Sequence, residues 1–286
     1  MLKKTGLVIL AFLGTLAAAL IVAVAYGHYL FHLQVEAEID SLLNRARQSP
    51  ADLVDLEQPD RLPSPLRRYF RFSLVNRNTY IRSASLMFSG LCRTGPNRPW
   101  LPLDGQQVLC AVPPGFVRST SKTIAPAVWV KNRERYLDRR GSSIAKIFSV
   151  VDVVDDVGGP LDQSELLWFL SEAVWIPTVL LPGKNVRWEP IDESSARVVI
   201  TDGDNQAAAQ VSFADDGSIF QITTSGRYRK VDGEYRRTGW SGIYRNYQTI
   251  DGVRVPTEME AIWHLDSGDF NYALFFLSRV EYDRRR

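Results

Sequence analysis

The sequence predicts a mainly β protein of the α+β class, with an N-terminal transmembrane helix, a helical neck and a large curved antiparallel sheet packed on a buried helix. An uninterrupted apolar run covers residues 6–29. From Ser85 onward, apolar and polar residues alternate with a period of two. The segment Asp162–Pro182 is instead helical and apolar on almost every side. We expect about 10 to 12 strands, and a sheet of that size curls into a half-barrel-like form.

The apolar run is long enough to cross a membrane, because about 20 residues of helix span the hydrocarbon core. Lys3 and Lys4 precede the run and acidic residues follow it, which places the N-terminus in the cytoplasm. We therefore predict a signal-anchor: a single-pass inner-membrane protein whose C-terminal domain lies in the periplasm or extracytoplasmic space. A cleaved signal peptide, with its processing site after Ala25, is the alternative.

The chain is expected to divide into a cytoplasmic N-terminus (1–5), the membrane anchor (6–30), a helical neck (31–75) and an extracytoplasmic β domain (76–286) with its helix at 162–175. The start of the neck is predicted to be helical because Leu33, Leu42 and Leu43 recur among charged residues near helical spacing. A charged, proline-containing neck is typical of a stalk that holds a domain off the membrane.

Composition argues against several classes of function. The net charge is +2, whereas a nucleic-acid-binding face is usually strongly basic, so no nucleic acid is expected as a partner. The only two cysteines do not form a C-x-x-C motif, which argues against structural zinc. His28 and His32 share a helix face but lack the carboxylate of an H-E-x-x-H motif. We predict neither a metal nor a cofactor.

Cys92 and Cys110 flank a loop between two predicted strands. If these strands form a hairpin that sets the cysteines opposite each other, the pair can form a disulfide in an oxidising compartment. Two buried thiols are an equal alternative.

The glutamates of Asp162–Pro182 are candidates for a functional role. Asp162 and Glu165 have the spacing of a capping box, in which the two side chains bond to the backbone N–H groups at the start of a helix. Glu172 lies among apolar residues, where a carboxylate needs a partner. A buried ion pair with an arginine explains this position; a ligand contact or a catalytic acid is the alternative.

Recognisable catalytic motifs are missing from the sequence, which has no G-x-S-x-G elbow, P-loop or dinucleotide fingerprint. His264 lies in a predicted strand with no nucleophile near it in sequence. This pattern favours a binding or structural role over an enzymatic one.

Six segments, in order and spacing, resemble an uncharacterised bacterial membrane-anchored family, a domain of unknown function. They are LPSPLRRYF (62–70), W-x-P-L…Q (100–106), PPGFV (113–117), ELLWFLSEAVWIPTVLLP (165–182), WEPIDESSAR (188–197) and YQTIDGVRVPT (247–257). The resemblance covers residues 60 to 283 and implies no activity. The chain departs from the pattern at Arg118, where the family often has a tryptophan after PPGFV.

More loosely, the last part of the chain is similar to periplasmic lipoprotein-localisation-factor proteins: a strand, then DGVRVP (251–256), then two long final strands. That resemblance implies a curved, half-open antiparallel sheet whose concave face, covered by helices, holds acyl chains.

The predicted function is therefore non-enzymatic binding of a lipid, acyl chain or other hydrophobic ligand between the curved sheet and the 162–182 segment. The residues expected to line the site are Trp168, Phe169, Glu172, Trp175, Trp188, Arg227 and Trp263. Glu172 and Arg227 would hold a polar head, although core packing also explains each aromatic taken alone. The alternatives are an envelope hydrolase using Glu165 or Glu172, and a scaffold subunit of an envelope complex, which predicts a large exposed apolar patch.

Overall fold

The computed structural model describes residues 2–48, 62–75 and 79–283, and within them it confirms a mainly β fold. The helices are α1 (Leu2–Gln48), α2 (Ser64–Ser73) and α3 (Pro160–Glu172). The strands are β1 (Ser83–Cys92), β2 (Leu101–Cys110), β3 (Gly115–Ala125), β4 (Val128–Leu137), β5 (Arg140–Ile147), β6 (Val151–Val157), β7 (Val186–Pro190), β8 (Ser195–Asp202), β9 (Asn205–Phe213), β10 (Ile219–Val231), β11 (Glu234–Ile250), β12 (Val253–Leu265) and β13 (Gly268–Tyr282).

These strands form one open antiparallel sheet in the order β6-β5-β4-β3-β2-β1-β13-β12-β11-β10-β9-β8-β7. Each half is a run of consecutive hairpins, and the halves join in the middle, where β1 pairs with β13 from Ala84↔Tyr282 to Cys92↔Ala273. The edge strands β6 and β7 are thus neighbours in sequence. The segment that links them contains α3 and has to cross one face of the sheet.

The sheet is curved, because side chains from distant strands meet. The Tyr136 hydroxyl on β4 lies 3.0 Å from Asp202 on β8, and Lys230 on β10 lies 2.6 Å from Asp156 on β6. The concave face is the one that packs on α3. Since side chains alternate between the faces of a strand, Phe116 belongs to this core and Val117 to a second cluster on the outer face.

Helix α1 covers that outer face with its second half. Phe31, Val35, Ile39 and Leu42 are buried there, and Glu38 forms ion pairs with Arg133 (3.2 Å) and Arg135 (2.9 Å) of β4. Residues 31–48 therefore do not stand free as the predicted stalk, because their apolar stripe matches an apolar patch on the sheet.

Within the part of the chain that the structure describes, α1 is the one helix long and apolar enough to cross a membrane, a property that an N-terminal signal sequence shares. It runs without a break through the predicted boundary at residue 30. Residues 49–61 and 76–78 of the predicted neck lie outside the described residues.

The predicted capping box at the start of α3 is wrong. The helix begins two residues earlier, at Pro160, which needs no N–H partner in the first turn. Asp162 instead accepts a hydrogen bond from the backbone N–H of Gly141 (2.7 Å), which fastens α3 to β5. Glu165 is turned into the interior. After Glu172 the chain continues as two short 3₁₀ turns, Ala173–Trp175 and Pro177–Leu180.

Of the two alternatives for the cysteines, the disulfide is wrong and the buried thiols are observed, because the hairpin register separates Cys92 from Cys110. Cys92 lies opposite Leu101 and Cys110 lies opposite Ser83, so about 30 Å of strand lies between them. A disulfide requires Cα atoms closer than about 7 Å. Both thiols are unpaired and buried.

Candidate functional site

Two guanidinium groups flank Trp168 inside the concave face. Trp168 is carried by α3, Arg118 by β3 and Arg227 by β10. The Cζ atom of Arg118 lies 4.4 Å from the centre of the Trp168 ring, and that of Arg227 lies 4.2 Å from it. Cation–π attraction of this kind strengthens when the groups are removed from water, and all three side chains are buried.

Arg118 is also the centre of a buried ion-pair network. Its Nη1 lies 3.0 Å from Oε1 of Glu172, and its Nη2 lies 2.6 Å from Oε2 of Glu134. Gln107 donates to the second oxygen of Glu172. The ion pair predicted as one interpretation of Glu172 is therefore present, and its partner is Arg118.

The pKa values follow from this pairing. Burial alone would lower the pKa of Arg118, but the negative charges of Glu134 and Glu172 raise it by more. The pKa therefore lies above its ordinary value, and Arg118 keeps its charge. Burial raises the pKa of Glu172 and Arg118 opposes that rise. Burial also raises the pKa of Glu134, but the positive charges of Arg118 and Lys122 outweigh it. The pKa of Glu134 is therefore lowered.

Glu165 is a second buried carboxylate on α3. No donor in the described residues lies within hydrogen-bonding distance of its Oε2. Burial, together with the nearby charge of Glu134, raises the pKa of Glu165 to about 8. A neutral Glu165 at pH 7 leaves Arg118 and Arg227 balanced by Glu134 and Glu172.

Arg227 is held by aromatic groups instead of a carboxylate. Its Cζ lies 5.1 Å from the ring centre of Trp240 and 4.9 Å from that of Trp263, besides its contact with Trp168. Its Nη1 donates to the hydroxyl of Tyr272 at 2.6 Å, and its Nε has no partner in the described residues. Arg227, Trp168 and Trp263, each predicted as a ligand residue, lie together here in one cage.

The interior opens toward solvent at a cluster that we call the aromatic mouth: Leu86, Phe88, Trp175, Phe275 and Leu277. These side chains border a void of about 10 Å³, and Gln107, Arg118 and Glu172 form its polar base. A void of this size holds about one water molecule.

The position of α3 on the sheet explains why the mouth is only partly covered. Helix α3 packs chiefly on β3 to β6, β9 and β10, so the central strands β1 and β13 receive less cover. Phe275 and Leu277 on β13 are consequently half-buried. The ring of Phe88 meets that of Phe275 edge-on, with centres 5.4 Å apart, and lies against Gly105, where an added Cβ would be 2.5 Å from it.

Two of the seven predicted ligand residues, Glu172 and Trp175, border this void. Trp168, Arg227 and Trp263 lie together behind it in the cage. Phe169 is a fully buried core residue. Trp188 is remote from the mouth: its indole N–H donates to the Leu180 carbonyl at 2.7 Å, and its ring lies 6.3 Å from Phe213.

The sequence did not point to Gln107, Arg118, Phe88, Phe275 and Leu277. Alternation along β1 places Leu86 and Phe88 on one face, but their contact with β13 depends on a pairing between strands almost 190 residues apart in sequence. For Arg118, an arginine two residues after the inward-facing Phe116 was an available signal.

A larger groove of about 460 Å³ lies where β9 and β10 separate beyond the Thr223↔Gln210 pair. Small and polar side chains dominate its lining, with Arg197 and Arg237 at the rim and Leu167 of α3 reaching it. None of the seven predicted ligand residues borders it, and its polarity does not suit an acyl chain.

A Ser–His–Asp chain of contacts also occurs on the sheet. Ser241 Oγ lies 2.7 Å from Nε2 of His264, whose Nδ1 lies 2.7 Å from Oδ1 of Asp269. This nucleophile was missed in the sequence because β11 and β12 bring it to His264 from 23 residues away. Ser241 is 0% exposed, and its neighbouring backbone groups lie in ladders with β10 and β12.

Among the described residues, no group of three or more His, Cys, Asp and Glu side chains is arranged to hold a metal ion.

No curated protein matches the chain. The chain is similar in structure to a domain described as an outer membrane lipoprotein-sorting protein from Vibrio parahaemolyticus (9% identity, TM-score 0.39, covering 71% of this chain and 86% of that one). It is also similar to a DUF1329 family protein from Desulfovibrio piger (9%, 0.42, 78% and 94%) and to a LolA superfamily protein from Nitrosomonas europaea (11%, 0.34, 78% and 94%). Because all three TM-scores are below 0.5, these likenesses say nothing about what this chain binds.

The sequence itself gives a firmer result. Residues 52–275 match the model of a family of unknown function, DUF6544, which is well over half of the 286 residues. This confirms the resemblance drawn from the ordered motifs. The chain belongs to the DUF6544 family of unknown function.

Proposed function

We propose that this protein is a membrane-anchored extracytoplasmic binding protein without enzymatic activity. Its ligand is a lipid, an acyl chain or another hydrophobic molecule, held between the sheet and the 162–182 segment. The apolar part of the ligand enters the aromatic mouth, and its polar end meets Gln107, Arg118 and Glu172.

The observation that carries this proposal is the arrangement of the mouth: the half-buried Phe275 and Leu277 lead, past buried apolar side chains, to a buried polar base across a water-sized void. Ligand sites commonly combine apolar walls with a few polar groups that orient the ligand. Covering a large apolar side chain such as Phe275 or Leu277 fully is worth about 1.5–3 kcal/mol, so the mouth gains from an apolar ligand.

Entry of the ligand requires the Phe88 and Phe275 rings to move, because the void of about 10 Å³ is too small for a chain. Displacing α3 would be far more costly, since Leu166, Leu167 and Trp168 are all buried and each contributes about 1.5–3 kcal/mol. Rotation of the two rings is therefore the cheaper route.

The polar base favours an uncharged head. Arg118 is already matched by Glu134 and Glu172, and a third carboxylate would leave an unbalanced buried charge. A hydroxyl or amide can instead exchange hydrogen bonds with Gln107 and Glu172. Arg227 does not border the void, so its part in this proposal is to hold Trp168 in place.

Support for the anchor comes from α1, which is long and apolar enough to span a bilayer. Its second half packs on the sheet, and the helix is continuous from Leu2 to Gln48, so it would join the anchor directly to the β domain.

Photocrosslinking tests the proposal. Benzoylphenylalanine replaces Phe275 in the mouth or its neighbour Phe276, which is exposed on the other face at the same height of the sheet. The full chain is irradiated in cells, purified and weighed by mass spectrometry. We expect a lipid adduct at position 275 and none at 276. A folded protein without an adduct at 275, or with equal adducts at both, would contradict the proposal.

The chain of Ser241, His264 and Asp269 makes a hydrolase a second candidate function. A serine nucleophile needs access to substrate and donors for the developing oxyanion, and the complete burial of Ser241 opposes both. The carboxylates named from the sequence fare no better, since Glu172 is engaged by Arg118 and Glu165 is buried. A fluorophosphonate probe that labels the full chain, and fails to label Ser241→Ala, would establish the hydrolase; we expect no labelling.

A further inference from the structure

The ends of two hairpins lie where α1 meets the sheet. The backbone of α1 at Gly27 is so close to the β5–β6 turn that an added Cβ would be 2.7 Å from Val150 and 2.8 Å from the Ser149 carbonyl oxygen. At the other end of the sheet, a Cβ at Gly115 would be 2.9 Å from Leu42. The helix therefore runs along the strands from the β5–β6 turn toward the β2–β3 turn.

The β3–β4 turn lies at the same end as the β5–β6 turn, because β4 and β5 pair from Val130↔Ile147 to Leu137↔Arg140. The two turns also touch. Phe148 donates its backbone N–H to the Trp129 carbonyl (3.1 Å), and the two rings meet edge-on with centres 5.1 Å apart.

These two hairpin ends carry exposed apolar side chains. Ile124 is 41% exposed, Val150 is 43% exposed and Val151 is 55% exposed; Pro126 at the β3–β4 turn is also exposed. We call Ile124, Pro126, Val150 and Val151 the hairpin tips. Single exposed apolar residues need no explanation, but a contiguous group marks a contact surface.

The position of the tips relative to α1 identifies the partner. The fully exposed apolar part of α1, with Leu20, Ile21 and Val22, leads directly to Gly27 and the tips. Tyr26 and Tyr29 are exposed at this level, where amphipathic aromatic rings mark the membrane interface.

Farther along the strands from the hairpin tips, basic side chains replace the apolar ones. Lys131 on β4 lies opposite Lys146 on β5, on the outer face of the sheet. About 13 Å of strand separates Lys131 from the turn at Ala127. A basic side chain at that height, such as that of Lys131, suits lipid phosphates. Asp152, the acidic side chain closest to the tips on β6, is neutralised by Lys146 at 2.8 Å.

We propose that the hairpin tips insert into the interfacial layer of the lipid bilayer that α1 spans, so that the domain rests on the membrane with this end of its sheet. The inference rests on the membrane anchoring in the proposed function and is independent of the aromatic mouth.

The test uses the full chain in vesicles of phosphatidylethanolamine and phosphatidylglycerol that contain nitroxide-labelled acyl chains. Single cysteines carrying a polarity-sensitive fluorophore replace Ile124, Val150, Leu16 in α1, or Val112 in the β2–β3 turn. Val112 is the matched control, since it is 42% exposed at the other end of the sheet. The native cysteines are buried, so the unmodified chain serves as the labelling blank.

We expect lipid quenching of the labels at 16, 124 and 150, and none at 112. Quenching at 16 without quenching at 124 and 150 overturns the insertion of the tips and leaves the anchor intact. Absence of quenching at position 16 would contradict the insertion of α1 into the bilayer, and with it both the anchor and this proposal. Labels at 124 and 150 that are shielded from aqueous iodide but not quenched by lipid would assign the tips to a protein contact and overturn the proposal.

Discussion

Arg118, a buried side chain, joins two carboxylates and a tryptophan ring inside the concave face of the sheet. Its charge is fixed because Glu134 and Glu172 face it directly, and its removal would leave Glu172 buried and the half-buried Glu134 without this cation. Taking away one partner of such a network is costly because the remaining charges keep their desolvation penalty.

We expect Arg118→Leu to lower the free energy of unfolding by about 3–5 kcal/mol. Urea denaturation of the full chain in detergent, followed by tryptophan fluorescence, measures the change. The matched control is Arg197→Leu, whose partner Glu189 is at the surface; it should cost less than about 1 kcal/mol. Adding Glu172→Gln to Arg118→Leu should recover part of the loss. Equal effects of the two arginine variants would contradict the buried network.

Glu165 makes stability depend on pH. Its folded pKa of about 8 lies above the ordinary value of 4.5, so the folded chain keeps a proton that the unfolded chain loses as pH rises through this range. Stability must then fall with rising pH between these values, by an amount on the order of a few kcal/mol.

Glu165→Gln should abolish that loss, since a glutamine has no proton to lose. The measurement is the denaturation midpoint of wild type and variant at about pH 5 and about pH 8, the two sides of the shift. The exposed Glu193→Gln serves as control and should follow wild type. A wild type and a Glu165→Gln variant with the same pH dependence would show that Glu165 is ionised in the folded chain.

At the scale of the element, α1 has two halves with different surroundings. Its first part is exposed and apolar, and its second part lies on the outer face of β2 to β4. Leu42 is 1% exposed and Leu33 is 46% exposed, although both belong to the same helix. The predicted stalk assigned them equivalent roles, because helical spacing alone does not reveal what a helix face contacts.

We expect Leu42→Ala to destabilise the domain by about 2–5 kcal/mol, the usual cost of emptying a buried leucine site. Leu33→Ala should change stability by no more than about 0.5 kcal/mol, as at other exposed positions. Thermal unfolding of the full chain in detergent compares them. Two equally mild variants would mean that the second half of α1 does not pack on the sheet.

For the whole molecule, the two halves of the sheet form separate runs of hairpins that are joined by the central β1–β13 pair and bridged by α3. In this topology the segment that links the edge strands β6 and β7 crosses the concave face. The aromatic mouth lies at the centre of that face, over β1 and β13. The second half of α1 packs on the outer face of the same sheet, and the hairpin tips lie at the end of the sheet that α1 contacts at Gly27.

We predict the orientation of the chain from the positive-inside rule, which places the N-terminus in the cytoplasm. A fusion of alkaline phosphatase to the C-terminus should be active, and a fusion of green fluorescent protein should be dark after export by the general secretory route. Deleting residues 2–30 should reverse both results. Fluorescence from the full-length fusion would place the β domain in the cytoplasm and contradict the predicted localisation.

The sequence by itself determined the long apolar helix over residues 6–29, the antiparallel sheet, the burial of α3 and the need of Glu172 for a partner. These features are local: they follow from composition and from periods of two or 3.6 residues. Only the tertiary structure decided that Arg118 is that partner, that Cys92 and Cys110 lie far apart, and that Ser241 meets His264. Each of these depends on strand register or on pairing between distant strands, and a one-residue shift of register reverses which side chains face each other.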